Sequence, residues 1–465
     1  MIEYLCSRRP YAFFAVNRTA DEFRMQNRIA FRSEVGYNRN AIRSTIGRRY
    51  IVMLDELLDL SRHFIQTCDR DYQRYFLGKY PLENRFSIIT GPRGVGKTTA
   101  IIQYLLKFTG GDPFSKEAIY IQSDHFLVGK HSMYEIADRF VKDGGKLICF
   151  DEIHKYPEWS RELKSITDTF PGLKIIASGS SAMEIYKGSH DLSRRAIVYR
   201  MHGMSFREFI ELSLDLPLGT YPLAEILEQE RHRVIAADII KEIEKKNTKI
   251  LPLFKQYLEY GCYPYFREYE NKDLFLITLE QHVHTTVESD LPAVFPGLSG
   301  AGVKKIKKLI SYIAESVPFM PDLKNIKRLL EIGDERTLKN YLKYLEDAGI
   351  ILSVSKKGKS LSSLEKPEKI FLNDTNLMYA IGARENLQKG NLRENFFVNA
   401  LMVEHRVAVA ERGDFVVDEK FIFEVGGKKK GFDQIKDMED SYLALDEIEI
   451  GIGSKIPIWL FGFLY

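Results

Sequence analysis

The chain has 465 residues, of which 45% are hydrophobic and 28% charged; that length suits about two to four domains, and that balance a soluble protein with real cores. No stretch reaches the roughly 18 uncharged apolar residues of a membrane span, so no membrane partner is expected. Cys6, Cys68, Cys149 and Cys262 lie too far apart for metal-ligand spacing, and a reducing, cytoplasmic location fits them.

The formal net charge of +3 is uneven: residues 1–50 carry ten Arg, no Lys and four acids, so the Lys-rich remainder is net −3. A basic nucleic-acid-binding arm is one interpretation of residues 1–52. The other is a mis-called extension, with Met53 the natural start, because the amphipathic pattern begins only at Ile51. A secretory signal is not expected, as no apolar core follows the charges.

Apolar residues at helical spacing from Ile51 to Tyr80 (Leu54, Leu57, Leu58, Leu60, Phe64) predict one or two helices. The apolar run Phe86 to Ile89 then reads as a buried parallel strand, and a helical pattern begins at Gly96. Between them Gly91, Pro92, Arg93, Gly94, Val95, Gly96, Lys97 and Thr98 fit the phosphate-binding pattern G-x-x-x-x-G-K-[ST], with Thr99 continuing it. The glycines let backbone N–H groups converge on an oxyanion, and the helix N-terminus adds positive charge. Lys97 is expected to reach the β and γ phosphates of ATP, and the Thr98 hydroxyl to ligate Mg²⁺.

Ala118 to Gln122 reads as a second strand, after which Asp124 either faces the nucleotide or caps a turn. A helix over Ser132 to Lys142 and the turn Asp143-Gly144-Gly145 lead to Lys146-Leu-Ile-Cys-Phe-Asp-Glu152. An apolar run ending in Asp-Glu, 54 residues after Lys97, is the second hallmark of a P-loop ATPase. Asp151 is expected to hold Mg²⁺ through water, and Glu152 to orient and deprotonate the attacking water. After the strand Lys174 to Gly179, Ser180 either senses the γ-phosphate or caps a helix. Arg194 and Arg195, before a strand over Ala196 to Arg200, are either a solvated pair or a source of transition-state charge in cis or in trans, with Arg195 the candidate.

With these motifs the chain resembles the prokaryotic AAA-type ATPases joined to a winged helix and a C-terminal domain of unknown function. The resemblance rests on Gly91-Pro-Arg-Gly-Val-Gly-Lys-Thr98, Asp151-Glu-Ile-His-Lys-Tyr-Pro-Glu-Trp159 and Ser178-Gly-Ser-Ser181. It rests also on Arg195 with Ser205-Phe-Arg-Glu-Phe209, and on Tyr260-Gly-Cys-Tyr-Pro264. It implies ATP binding and hydrolysis and covers most of the chain from Met53.

Residues 205–300 read mainly as helices, a lid and connector able to convert nucleotide state into movement. Helices over Val303 to Ser316, Asp322 to Ile332 and from Asp334, then strands Ile350 to Val354 and Lys369 to Leu372, describe a winged helix-turn-helix. Residues 301–360 carry thirteen Lys or Arg against seven acids. Lys339, Asn340 and Lys343 are expected to face outward toward duplex DNA, with Lys356, Lys357 and Lys359 on phosphates; protein docking is the alternative use. In residues 373–465, Glu394, Asp414 and a strand ending at Glu424 resemble the restriction-endonuclease arrangement, where a lysine two residues on helps activate water. Gly426 stands there instead, with Lys428 to Lys430 nearest, so nuclease activity is disfavoured. Ile456 to Tyr465 is expected to close this domain as a strand.

The expected fold is α/β: a doubly wound P-loop NTPase sheet over 53–204, a helical lid over 205–300, a winged helix over 301–372 and a small endonuclease-like domain over 373–465. The expected function is a Mg²⁺-dependent ATP hydrolase acting as a molecular switch. The alternatives are an ATP-sensing DNA-binding regulator or an ATP-gated nuclease. Duplex DNA, an unidentified protein and further copies of the chain are the partners this admits.

Overall fold

Five short apolar runs become five parallel strands: β1 Phe86–Thr90, β2 Ala118–Gln122, β3 Leu147–Asp151, β4 Lys174–Gly179 and β5 Ile197–Arg200. The computed structural model that shows them describes residues 53–179, 192, 194–295, 297–356, 367–382 and 384–465. The basic stretch 1–52, Ser180 and Ser181, and Lys357 and Lys359, expected on a wing, lie outside the described residues. The chain divides into units 1–57 and 58–465. Residues 53–57 of the first are helical, and the second holds both five-stranded sheets.

The strand order is β2-β3-β4-β1-β5, and β1 and β3 are buried along their whole length, as strands covered by helices on both faces must be. The register pairs Thr90 with Gly179 and with Arg200, and Gln122 with Asp151. The carboxyl ends of β1, β3 and β4 therefore lie side by side, where open α/β sheets bind ligands.

Helix α1 (Tyr75–Lys79) precedes β1, and α2 (Lys97–Phe108) starts directly from the phosphate loop, burying Ala100, Ile101, Ile102 and Leu105. Ser132 opens α3 (Met133–Lys142) with a capping box to Glu135, and α4 (Trp159–Thr169) returns the chain to β4. Past the sheet, Ser205 and Glu208 form a second capping box at the start of α5 (Phe206–Leu214). Four more helices make the connector: α6 (Leu223–Leu227), α7 (Gln229–Glu244), α8 (Ile250–Tyr260) and α9 (Lys272–Thr285). A π-helical turn, Thr286–Asp290, then joins α9 to α10 (Leu291–Val294).

Three helices follow, α11 (Gly300–Glu315), α12 (Leu323–Leu329) and α13 (Glu335–Asp347), then the antiparallel pair β6 (Ile351–Val354) and β7 (Lys369–Leu372). Asp322 and Asp334 cap α12 and α13. On α13, Leu338, Leu342 and Leu345 are buried, a face made by residues at helical spacing.

Helices α14 (Thr375–Ile381) and α15 (Lys389–Leu401) lead to a second five-stranded sheet of β8 (Val407–Val409), β9 (Phe415–Val417), β10 (Phe421–Gly426), β11 (Ser441–Leu445) and β12 (Lys455–Pro457). β8, β9 and β10 are antiparallel neighbours, and β10, β11 and β12 are parallel. The expectation of a strand from Ile456 to Tyr465 needs correction. After Pro457 the chain turns into the 3₁₀ segment Ile458–Phe463. Ile456 and Pro457 do end the edge strand β12, but every residue from Ile456 to Tyr465 is buried, and from Ile458 on the chain packs inward and no longer pairs as a strand. Its Phe463 ring meets Phe206 of α5 at 6.0 Å, and Phe461 sits 5.0 Å from Phe397 and 5.7 Å from Phe423. One continuous apolar cluster joins Ile65 to Tyr465.

Candidate functional site: the phosphate loop and its surroundings

The loop after β1 is bent by three glycines with positive φ, Gly91, Gly94 and Gly96, which L residues with a Cβ adopt only at a cost. Space is as restrictive as torsion. A Cβ on Gly91 would stand 2.2 Å from the Met201 carbonyl oxygen, and one on Gly94 2.4 Å from the Tyr265 ring. From beneath, buried Arg74 donates to the Val95 carbonyl at 2.7 Å while ion-paired with Glu208. The Ser205-Phe-Arg-Glu-Phe209 segment thus supports the loop through Glu208, besides capping its own helix.

Lys97 is buried, and its Nζ donates to the Gly91 and Pro92 carbonyls at 2.9 Å each. Burial lowers its pKa, with Glu152 and Asp151 pulling the other way. Asp151, at the end of β3, is a saturated acceptor. Its Oδ2 takes hydrogen bonds from Thr98 Oγ1 (2.6 Å) and Tyr120 OH (2.7 Å), and its Oδ1 from Ser178 Oγ and the Glu152 N–H. Burial, and then the charge of Asp151, pushes the Tyr120 phenol far up, which keeps it a donor.

Glu152 adopts a left-handed backbone, φ 54° and ψ 40°, strain of a kind that clusters at functional sites. Its Oε2 is buried and accepts no hydrogen bond among the described residues. His154 Nε2 lies 3.5 Å away and Lys155 Nζ 3.7 Å, and Lys155 also pairs with Asp124 at 2.5 Å. Asp124 is thus linked to Glu152 through Lys155.

Three residues that sequence reasoning missed complete the surroundings. Asp290, at the end of the π-helical turn, receives Arg93 Nη2 at 3.1 and 3.2 Å. His154 is buried, and burial lowers its pKa against the pull of Glu152 and Asp290. Tyr265 covers Gly94, following a Tyr260-Gly-Cys-Tyr-Pro264 segment that is a junction in its own right. There a Cβ on Gly261 would meet Tyr257 and Phe209 within 2.7 Å. The Cys262 N–H donates to Asn376 Oδ1 at 2.7 Å, and Tyr263 OH to Asp374 Oδ2 at 2.7 Å. Only the Tyr-Pro pattern hinted at this.

The other expected residues fall elsewhere. Arg195 precedes β5, at the amino end of the strands and so away from the loop at their carboxyl end, and holds Asp168 by bonds of 2.7 and 3.0 Å. The structure therefore does not bring it to the loop of its own chain. Ser180 directly follows Gly179 in sequence, outside the described residues. In the second sheet, Lys430 and not Lys428 reaches Glu424, Nζ to Oε1 2.5 Å. Gly426 makes this possible, since a Cβ there would stand 2.6 Å from Lys430 Cβ. Glu394 pairs with Lys369 at 3.0 Å, and Asp414 Oδ2 accepts from the Val425 N–H at 2.8 Å. Among the described residues no three His, Cys, Asp or Glu side chains are placed to hold a metal ion.

A hydroxyl, a carboxylate and a buried lysine beside a loop that opens a helix N-terminus suit a polyphosphate with a hydrated divalent cation. Residues 83–210 match the family model of an AAA domain, and residues 251–388 that of a domain of unknown function (DUF8612). The second match takes in part of the connector, the three helices and α14, and stops before the last sheet. No curated protein matches the chain. Among solved structures, one on katanin self-assembly is 17% identical, with 38% of this chain and 65% of that chain covered and a TM-score of 0.22. The S. cerevisiae Hsp104–ADP complex is 15% identical, over 63% of this chain and 40% of that one, TM-score 0.28. AMPPCP-bound DnaA from Aquifex aeolicus is 16% identical, over 59% and 87%, TM-score 0.21. Likeness at that level adds nothing about the whole chain. No helix among the described residues is long and apolar enough to cross a membrane. The match over residues 83–210, with the loop and the Asp151-Glu152 strand end inside it, identifies that segment as a AAA-type, nucleotide-binding P-loop ATPase domain.

Proposed function

We propose that the chain is a Mg²⁺-dependent ATP hydrolase that acts as a molecular switch, its nucleotide state transmitted to the connector and the helices beyond. The observation that carries this reading is the Thr98–Asp151 pair at 2.6 Å, beside buried Lys97 and the Glu152 oxygen that lacks a hydrogen bond. With nucleotide bound, Lys97 would exchange two loop carbonyls for phosphate oxygens, Thr98 and Asp151 would hold the ion through its water shell, and Glu152 would take the proton of the attacking water. Bound there, Mg²⁺ neutralises charge on the phosphate oxygens. Ser180, next after β4, keeps the γ-phosphate role in this proposal. Arg195 enters it only from a neighbouring copy in a homo-oligomer.

Transmission is supported by three contacts with the loop: Asp290 on Arg93, Tyr265 on Gly94, and Gly349, where a Cβ would lie 3.3 Å from Pro92 Cγ. We read α11–α13 with β6 and β7 as a winged helix. A protein partner suits it better than duplex DNA, because Lys339 and Lys343 are paired along their own helix with Glu335 (2.9 Å) and Asp347 (2.7 Å). Turnover accelerated by duplex DNA would reverse that preference. Cleavage of nucleic acid stays disfavoured.

Lys97→Ala is expected to abolish ATP binding. Glu152→Gln is expected to bind ATP and turn it over about a hundredfold more slowly, or worse. Wild-type hydrolysis by both variants would reject the proposal.

A further inference from the structure

The hydrolytic residues argued above all come from the sheet and its loops, yet one buried carboxylate facing them comes from the connector. Asp290 is 4% exposed and closes the π-helical turn Thr286–Asp290, a distortion often found at functional sites. A buried carboxylate is costly unless paired. Its pairing here draws on two separate pieces of the nucleotide domain. Arg93 belongs to the phosphate loop, with Nη2 at 3.1 and 3.2 Å from the two carboxylate oxygens. His154 belongs to the turn after β3, with Nε2 4.0 Å from Asp290 Oδ1 and 3.5 Å from Glu152 Oε2. A single imidazole nitrogen thus lies between the two carboxylates, with Asp290 on one side and Glu152 on the other.

We propose that Asp290 is a positioning residue of the nucleotide site, tying Arg93 and, through His154, Glu152 to the connector. The inference rests on the ATP-hydrolase reading above. Phosphate charge entering the loop beside Arg93 acts on Asp290 at short range in a poorly screened interior. By linkage, what the connector feels from the nucleotide it returns to the nucleotide.

The test is backbone hydrogen exchange of the full chain, with and without AMPPNP and Mg²⁺, beside ATP turnover. In the wild type, the analogue is expected to slow exchange over residues 286–294 about fivefold or more. Asp290→Asn is expected to bind the analogue within about threefold of wild type, to lose that protection, and to turn over ATP about tenfold more slowly. Asp290→Glu is expected to regain part of both. A role in stability alone would leave the nucleotide-dependent protection in place. Analogue binding without protection of 286–294 in the wild type overturns the inference while leaving the ATPase proposal standing, even if the Asn variant does not fold. Absence of any nucleotide binding by the wild type overturns both.

Discussion

Gly94 carries two constraints at once, a φ of +78° and a Tyr265 ring where a side chain would begin. Gly94→Ala is expected to cost about 2–4 kcal/mol, the left-handed backbone and the overpacking together. Urea unfolding measures it, and Gly94→Ala combined with Tyr265→Ala should recover the overpacking share alone. His202 supplies a pH signature. Burial first, then Arg200 and Arg74, depress its pKa from 6.5 to about 3. The unfolded chain takes up this proton near pH 6.5 while the folded one refuses it down to about pH 3. Stability should therefore fall across that window as pH falls, by up to about 1.4 kcal/mol per pH unit. Denaturant midpoints of His202→Gln should show a flatter acid slope, and an unchanged slope would deny His202 this role. At this scale the sequence was legible where chemistry is local. Spacing along the chain marks Lys97, Thr98, Asp151 and Glu152, which lie after β1 and at the end of β3, on either side of β4. Asp290 and Tyr120 are ordinary residues until folding brings them to the loop or to Asp151, and no spacing rule reaches across the 197 positions from Arg93 to Asp290.

Elements tell a similar story. The first sheet was readable because its strands are apolar runs broken by Gly or acid. The capped helices were readable because Ser132, Asp322 and Asp334 announce them. What lay hidden was which elements support one another. The Arg74–Glu208 pair joins the segment before α1 to α5, with side-chain exposures of 6% and 0%. Arg74→Met should cost about 3–5 kcal/mol, because it strands a buried carboxylate. Adding Glu208→Gln should return part of it; a loss below about 1 kcal/mol in thermal unfolding would contradict this account. The last segment misled for a physical reason. An apolar decapeptide reads equally as a strand or as a buried wedge, and here Ile458–Phe463 forms a 3₁₀ turn among aromatic rings. Phe461→Ala is expected to lose about 3–5 kcal/mol through the cavity left between Phe397 and Phe423, read from the denaturant midpoint.

Among the described residues, the segments read as nucleotide domain, connector, three-helix region and last sheet share one apolar cluster from Ile65 to Tyr465, and Ile435, Leu443 and Leu445 form a smaller one. Residues 58–465 are accordingly expected to unfold in one calorimetric transition, with equal calorimetric and van't Hoff enthalpies. Separate transitions for residues 83–210 and 373–465 would show that the shared core is not cooperative. Charge patterns and motif order had suggested modules in series. They could not show that Phe463 packs on Phe206, because sequence patterns report burial without naming what does the burying.

That packing bears on how the chain is made. The residues that finish the apolar bed of α5, and whose Tyr465 main-chain oxygen accepts from Ser205 Oγ at 2.9 Å and Arg207 Nε at 3.0 Å, leave the ribosome some 250 positions after it. Until then the nascent nucleotide domain has its phosphate loop but an unfilled flank. Contacts so distant along the chain slow folding and leave apolar surface uncovered for longer. Synthesis thus leaves the flank of α5 uncovered until residues 456–465 have been translated.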